Sequence, residues 1–337
     1  MPPRRNSQLN LFQAVAEMDE RLEPLIGYTP GELVQCAFPQ IKPKNDARRV
    51  WLRRNGALTV KLTAGTNDDE SSTGLPYGPK SRVFLALCAK RIKQTGSATV
   101  ELGASQNAFM DTLGYTSKSG GKTGNKLLVA EQARRIVRAN LEVRWDKDHP
   151  NRDRGGGMRF ADFWDLWWDR AKNPTHPVDG SYIVFSRLFV NMVENAQPVN
   201  LEAMVILGKS ALAQDLYTFL SGRLYQLRRP LKLNRIQLAV QFGNGPLPED
   251  PGRLADFVSE TWRNIRTQMP AVLRVYHEAN VELLDDGLLL RESPPHVPPR
   301  GGHALTRARR AETKETRRVA AILEDRKASG QLALPMA

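Results

Sequence analysis

The order helix, strand, short helix, longer helix and β-hairpin can be read twice along this 337-residue chain, whose formal charge is +13. Those two observations predict an α+β fold: two tandem winged-helix units (helix-turn-helix plus β-hairpin) and a flexible basic C-terminal tail. The expected divisions are an N-terminal extension over 1–40, a first winged-helix domain over 41–195, a second over 196–299 and a disordered tail over 300–337. A hydrophobic content of 41% suffices for packed cores of that number.

Residues 1–40 carry no clear period. From Ala57, 57-ALTVKLT-63 alternates apolar and polar after Asn55-Gly56, as a half-buried strand does after a turn. The first repeat opens with Pro79 in the first turn of a helix over 79–94, with Val83, Phe84, Leu87, Cys88 and Ile92 on its apolar face. A strand over 98–102 and a short helix over 104–113 follow. A glycine-rich turn then leads into a longer helix from Lys126 to Asn140. The segments 141-LEVRW-145 and 158-MRFADFWDLWW-168 read as a hairpin, and 181–195 as strand then helix.

The second repeat begins with a helix over 210–227, in which Leu212, Leu216, Leu220 and Leu224 recur every four residues. A strand over 231–233 and a short helix over 235–242 come next. Asp250-Pro251 is a cap-and-first-turn signal for a helix over 252–269. Asp285-Asp286-Gly287 turns a hairpin between 281–284 and 288–292. The tail after 302 is rich in helix formers but has no adequate apolar face.

The charge and a pI near 9.9 point to a polyanionic partner, because phosphates neutralised by Lys or Arg release condensed counterions. Cys36 and Cys88 are too few for a disulfide scaffold, and no histidine joins them at metal-ligand spacing. No 18-residue apolar run and no signal-peptide pattern occur, so the expected site of action is the cytoplasm, without a membrane.

A helix fits the major groove, where base edges carry a code that Arg, Lys, Asn and Gln can read. On the first longer helix, Lys126, Arg134, Arg135 and Arg138 are expected off the core face, with Lys118, Lys122 and Asn125 at its entrance. On the second, Arg253, Arg263, Asn264, Arg266 and Thr267 are the corresponding candidates. Arg235 and Gln237 open the short helix before it, where a backbone-crossing element grips phosphate. Trp164, Trp167 and Trp168 offer either a stacking platform for single strands or, more simply, core at a strand pairing.

No enzyme, cofactor or metal site is expected. Gly121-Lys122-Thr123 resembles the end of a nucleotide-binding loop, but its first glycine would fall at Thr116, and Gly114 is two residues early. There is no Gly-x-Ser-x-Gly and no His-hydrophobic-His motif. Asp162, Asp165 and Asp169 read as the wet face of an aromatic element.

The run from 74-GLPYGPKSRVFLALCAKRIKQ-94 through 98-ATVELG-103, 119-SGGKTG-124 and 126-KLLVAEQARRI-136 resembles the plasmid RepA-type replication initiators. So do 208-GKSALAQDLYTFLSGRLYQLRRP-230 and 272-VLRVYHEANVELLDDGLLLRESPPHVPP-299. The resemblance covers about 41–299. It implies a non-enzymatic protein with two winged helices that binds directly repeated sites, iterons, in double-stranded plasmid origin DNA. It further implies recruitment of the host replication initiator and replicative helicase, a homodimeric form that represses its own synthesis, and Lys122 set for DNA phosphate. The runner-up is a winged-helix transcriptional regulator without a replication role.

Overall fold

The computed structural model describes residues 5–20, 24–44, 49–103, 105–113, 124–145, 155–166 and 181–298. The expected tail over 300–337 lies outside them. The N-terminal stretch forms helix α1 (Arg5–Glu20), strand β1 (Ile26–Thr29) and the short helix α2 (Gly31–Gln35). Strands β2 (Val50–Asn55) and β3 (Leu58–Thr63) form a hairpin, its tight turn permitted by Gly56 at φ 57°.

The first repeat contains α3 (Gly78–Thr95), β4 (Thr99–Gly103), α4 (Gln106–Thr112), α5 (Asn125–Arg138), β5 (Asn140–Trp145), β6 (Gly155–Arg159), β7 (Ala161–Asp165) and β8 (Ser181–Phe185). Next come α6 (Arg187–Glu194), β9 (Gln197–Asn200) and α7 (Leu201–Ile206). The second repeat contains α8 (Ala211–Arg223), β10 (Leu231–Asn234), α9 (Arg235–Phe242), α10 (Pro251–Val275), β11 (Val281–Leu284) and β12 (Gly287–Leu290). Side-chain caps start several helices: Asp250 on α10, as expected, and also Ser105 on α4 and Ser210 on α8 each accept a first-turn backbone N–H.

The expected hairpin of the first repeat needs correction. The segment 158–168 is not one strand. It changes sheet at Phe160, which is fully buried. Before that residue, β6 pairs with β5 in a sheet of order β2-β3-β5-β6. After it, β7 pairs with β8 in a sheet of order β4-β8-β7. The second repeat has the order β10-β12-β11. Both repeats therefore run helix, strand, helix, helix, strand, strand, and in each the first strand pairs antiparallel with the last. Strands β5 and β6 are an insertion given to a different sheet.

Helix α10 also exceeds its expected end at 269, continuing through Pro270 to Val275. Proline forfeits one backbone hydrogen bond, but Met269, Val272 and Val275 on either side are fully buried. That burial outweighs the loss.

The N-terminal stretch is part of the packed body. Strand β1 pairs antiparallel with β9, about 170 positions away, and crosses α3 closely. At Gly27 a Cβ would stand 2.6 Å from Leu201 and 3.2 Å from the Ala86 carbonyl, so glycine permits the crossing. One hydrophobic core runs from Val15 through Phe84, Ile136, Leu216 and Ile265 to Leu290. Cys36 and Cys88 are buried in it as free thiols.

Candidate nucleic-acid interface

Helix α10 buries Thr261, Trp262, Ile265, Met269, Val272 and Val275, a stripe at helical period. The other face exposes Arg253, Arg263, Asn264, Arg266 and Thr267. The Thr267 hydroxyl donates to the Arg263 carbonyl at 2.9 Å. Asp256 and Glu260 are exposed on the same helix. They offset Arg253 and leave the cationic charge concentrated at Arg263 and Arg266.

Two candidates before α10 are engaged within the fold. The Arg235 guanidinium lies 5.7 Å from the Trp262 ring, and its Nε donates to the Asp285 carbonyl at 3.0 Å. It thus ties the helix to the hairpin turn. The Gln237 side chain completes a capping box, its Oε1 accepting from the Asn234 N–H at 2.9 Å. The turn is acidic: Asp286 pairs with Lys232 at 2.7 Å, and that bond holds its carboxyl below the usual range. The cations beside the turn, Lys232 and Arg235, are thus already engaged with it, whereas Arg263 and Arg266 stand exposed on the helix.

Helix α5 buries Val129, Ala130, Ala133, Ile136 and Val137. Arg134 is exposed, while Asn125, Lys126 and Arg138 are half-buried. The Lys126 carbonyl accepts from Gln106 Nε2 at 2.8 Å, and Arg138 lies 5.5 Å from the Trp164 ring. Trp164 is half-buried against the core. Lys118, Lys122, Trp167 and Trp168 lie outside the described residues.

Arg135 corrects the expectation that it sits off the core face. It is only 5% exposed. Its Nη2 meets Glu131 Oε1 at 2.7 Å, and its Nη1 donates to the Leu75 carbonyl at 3.1 Å. The guanidinium also lies 5.1 Å from the Tyr77 ring. Beside it, Gln132 Oε1 accepts from the Tyr77 N–H at 2.8 Å. Leu-Pro-Tyr-Gly is thus strapped to α5 from both sides, which gives Arg135 a structural task and removes it from the exposed cations.

Residues 76–238, from the residue before Tyr77 into α9, match the family model described as plasmid encoded RepA protein. Over these residues the chain is similar to the RepA family. The matched segment takes in the whole first repeat and the start of the second. No curated protein matches the chain. Among solved structures, a selenomethionine derivative of RctB domains 2 and 3 is 11% identical over 70% of this chain and 84% of that chain, with a TM-score of 0.44. A second structure of RctB domains 2–3 is 8% identical over 77% of this chain and 94% of that chain, with a TM-score of 0.40. No helix among the described residues is long and apolar enough to cross a membrane.

Arg54, Arg144 and Arg159 carry no signal in the sequence beyond the alternation of Asn140, Glu142 and Arg144 with Leu141 and Val143 in a strand. Pairing across β2, β3, β5 and β6 is what brings them to one face.

Proposed function

We propose that this chain is a plasmid replication initiator that binds directly repeated origin DNA through two tandem winged-helix units. The RepA match over 76–238 carries the reading. The repeated helix, strand, helix, helix, strand, strand order supports it, since α5 and α10 then hold the reading-helix position in each unit and β7–β8 and β11–β12 the wings.

On this reading most of the affinity comes from phosphate contacts and falls steeply with salt. Sequence choice comes from a few side chains, foremost Arg263, Asn264 and Arg266 on α10 and Arg134 on α5. The protein works without nucleotide or metal. Bound protomers strain the duplex and recruit the host initiator and replicative helicase. A homodimeric form represses the protein's own synthesis, and monomers bind the repeats.

The test is complementation. A plasmid carrying the candidate origin should replicate only when this gene is supplied in trans, and footprints should repeat at a spacing set by two linked reading helices. Footprints without replication would leave a transcriptional regulator. One unchanging oligomeric species on both operator and repeats would end the dimer-to-monomer account.

A further inference from the structure

We infer that the outer face of the β2-β3-β5-β6 sheet is a third DNA surface, one that grips the phosphate backbone of duplex outside the sites read by the helices. This rests on the DNA-binding reading above and extends it to residues remote from α5 and α10 in sequence.

Strand register defines the face. Arg54 stands opposite Thr59, Thr59 opposite Arg144, and Arg144 opposite Gly155. Leu52, Lys61, Glu142 and Gly157 form the next row, and Arg159 lies beyond it opposite Asn140. The alternate residues Trp51, Val60, Leu141 and Val143 point into the core, so this side faces outward. Lys61 and Glu142 neutralise one another at 3.3 Å. Arg54 and Arg159 remain as exposed cations, with the half-buried Arg144 between them on the same face. Arg54 and Arg159 are exposed and pair with no carboxylate among the described residues. Arg54 and Arg144 are two strands apart, about 10 Å, and Arg159 lies about 13 Å along the sheet from their row. A single chain of phosphates can meet such a spread.

The glycines are the second observation. A Cβ at Gly155 would stand 2.7 Å from Arg144 Cγ, so this glycine leaves room for the arginine stem to lie across the sheet. At Gly157 nothing stands within 4 Å of a Cβ, and its φ is not in the left-handed region. The fold does not require glycine there. Glycine inside a strand is unfavourable unless another backbone or a ligand comes close, and here it keeps the outer surface bare.

Duplex is the form that fits. The three rows present cations and bare backbone, with Thr59 buried and accepting from Arg54 Nε at 3.4 Å, and no aromatic ring for an unstacked base. Val50 and Leu52 are half-exposed at the β2 edge of the same face and mark its apolar border.

The experiment uses the full chain and the variants Arg54→Ala, Arg159→Ala and Gly157→Val. Each is bound to a labelled duplex carrying the origin repeats between about 50 and 200 mM salt, with the helix variant Arg263→Ala as reference and thermal melts as the fold control. Gly157→Val suits a strand and has open space, so the fold alone predicts no loss of binding. We expect each arginine variant to bind more weakly than the parent at low salt and to lower the salt slope by about one, so that its affinity falls about three- to four-fold less than the parent's across that range, and Gly157→Val to weaken binding at unchanged melting temperature. Sheet variants that bind as the parent does, while Arg263→Ala binds more weakly, overturn this inference and leave the function reading standing. A loss confined to single strands, or a change in oligomeric state with DNA affinity intact, overturns it too. A parent that ignores duplex altogether removes both.

Discussion

Arg82 on α3 and Asp215 on α8, 133 positions apart, form a buried ion pair with Nε–Oδ1 at 2.6 Å and Nη2–Oδ2 at 2.9 Å. The first helices of the two repeats are therefore joined by a forked contact at the core. Burial pushes the Asp215 carboxyl up, and Arg82 pulls it back. Arg82 also donates to the carbonyls of Phe38 and Gly78, which orients its fork. Removing one partner of such a pair leaves the other charged and desolvated. Asp215→Ala is expected to cost about 3–5 kcal/mol of stability. Denaturant unfolding of the variant checks this, and a loss below about 1 kcal/mol, the range of an exposed pair, would refute it.

Arg53 makes a second link. From β2 it donates to four backbone carbonyls at the end of α9: Val240 at 2.5 Å, Gln241 at 3.2 Å, Gly243 and Gly245. A guanidinium suits this place because the end of a helix presents unpaired carbonyls and negative potential. Arg53→Ala is expected to destabilise by about 2–4 kcal/mol by leaving those oxygens unsatisfied. Arg53→Lys is expected to recover less than half, since an ammonium cannot span the fork. Equal melting temperatures for Lys and Arg at this position would contradict the assignment.

These links also mark what could be read from the chain beforehand. Helices with a period and a cap were legible: Pro79 begins α3 within one residue of expectation, and Asp250-Pro251 opens α10. Asp285-Asp286-Gly287 turned its hairpin as expected. What eluded the sequence was non-local. The pairing of β1 with β9 leaves no trace near either strand. The switch of sheets at Phe160 was masked because 158–168 is one aromatic-rich run with no glycine or proline to break it. Among the site residues, Arg135 looked exposed by residue type. Its burial depends on Glu131 one turn earlier and on a carbonyl 60 positions away. Period alone cannot distinguish a satisfied arginine from a solvated one.

Lys80 supplies a pH test. Burial near the start of α3 pulls its ammonium down to about 8 from 10.5. Between those values the unfolded chain binds the proton more than the folded one, so this group's contribution to stability rises with pH across the window. Below pH 8 the folded state carries a partly desolvated charge. Lys80→Met is expected to raise the melting temperature at pH 7, with the increment shrinking above pH 8 and vanishing by pH 10.5. An increment that is constant with pH would show that packing rather than charge is responsible.

The two thiols should be inert. Burial pushes Cys36 up to about 11 and Cys88 up to about 12, so almost no thiolate exists at neutral pH, and neither sulfur is accessible. An aromatic disulfide reagent at pH 8 should find no fast-reacting thiol in the folded protein and two after denaturation. A fast phase of one equivalent in the folded state would indicate that the core opens locally around one of them.

The contrast between Arg263 and Arg135 separates reading from folding. Both are arginines on the longer helix of a repeat, but Arg263 is exposed on α10 whereas Arg135 is enclosed by Glu131, Tyr77 and Leu75. If α10 lies in the major groove, Arg263→Ala or Arg266→Ala should weaken binding to the origin repeats by about 1–3 kcal/mol and relax preference at one base position, with the melting temperature unchanged. Arg135→Ala should do the reverse, lowering stability through the carboxylate and carbonyl it leaves unpaired, with sequence preference intact in whatever protein remains folded. Binding to a panel of single-base variants of the repeat, measured beside thermal melts, checks both. If Arg263→Ala and Arg266→Ala lose affinity equally for every sequence, the two side chains hold phosphate, and the bases are read by other side chains.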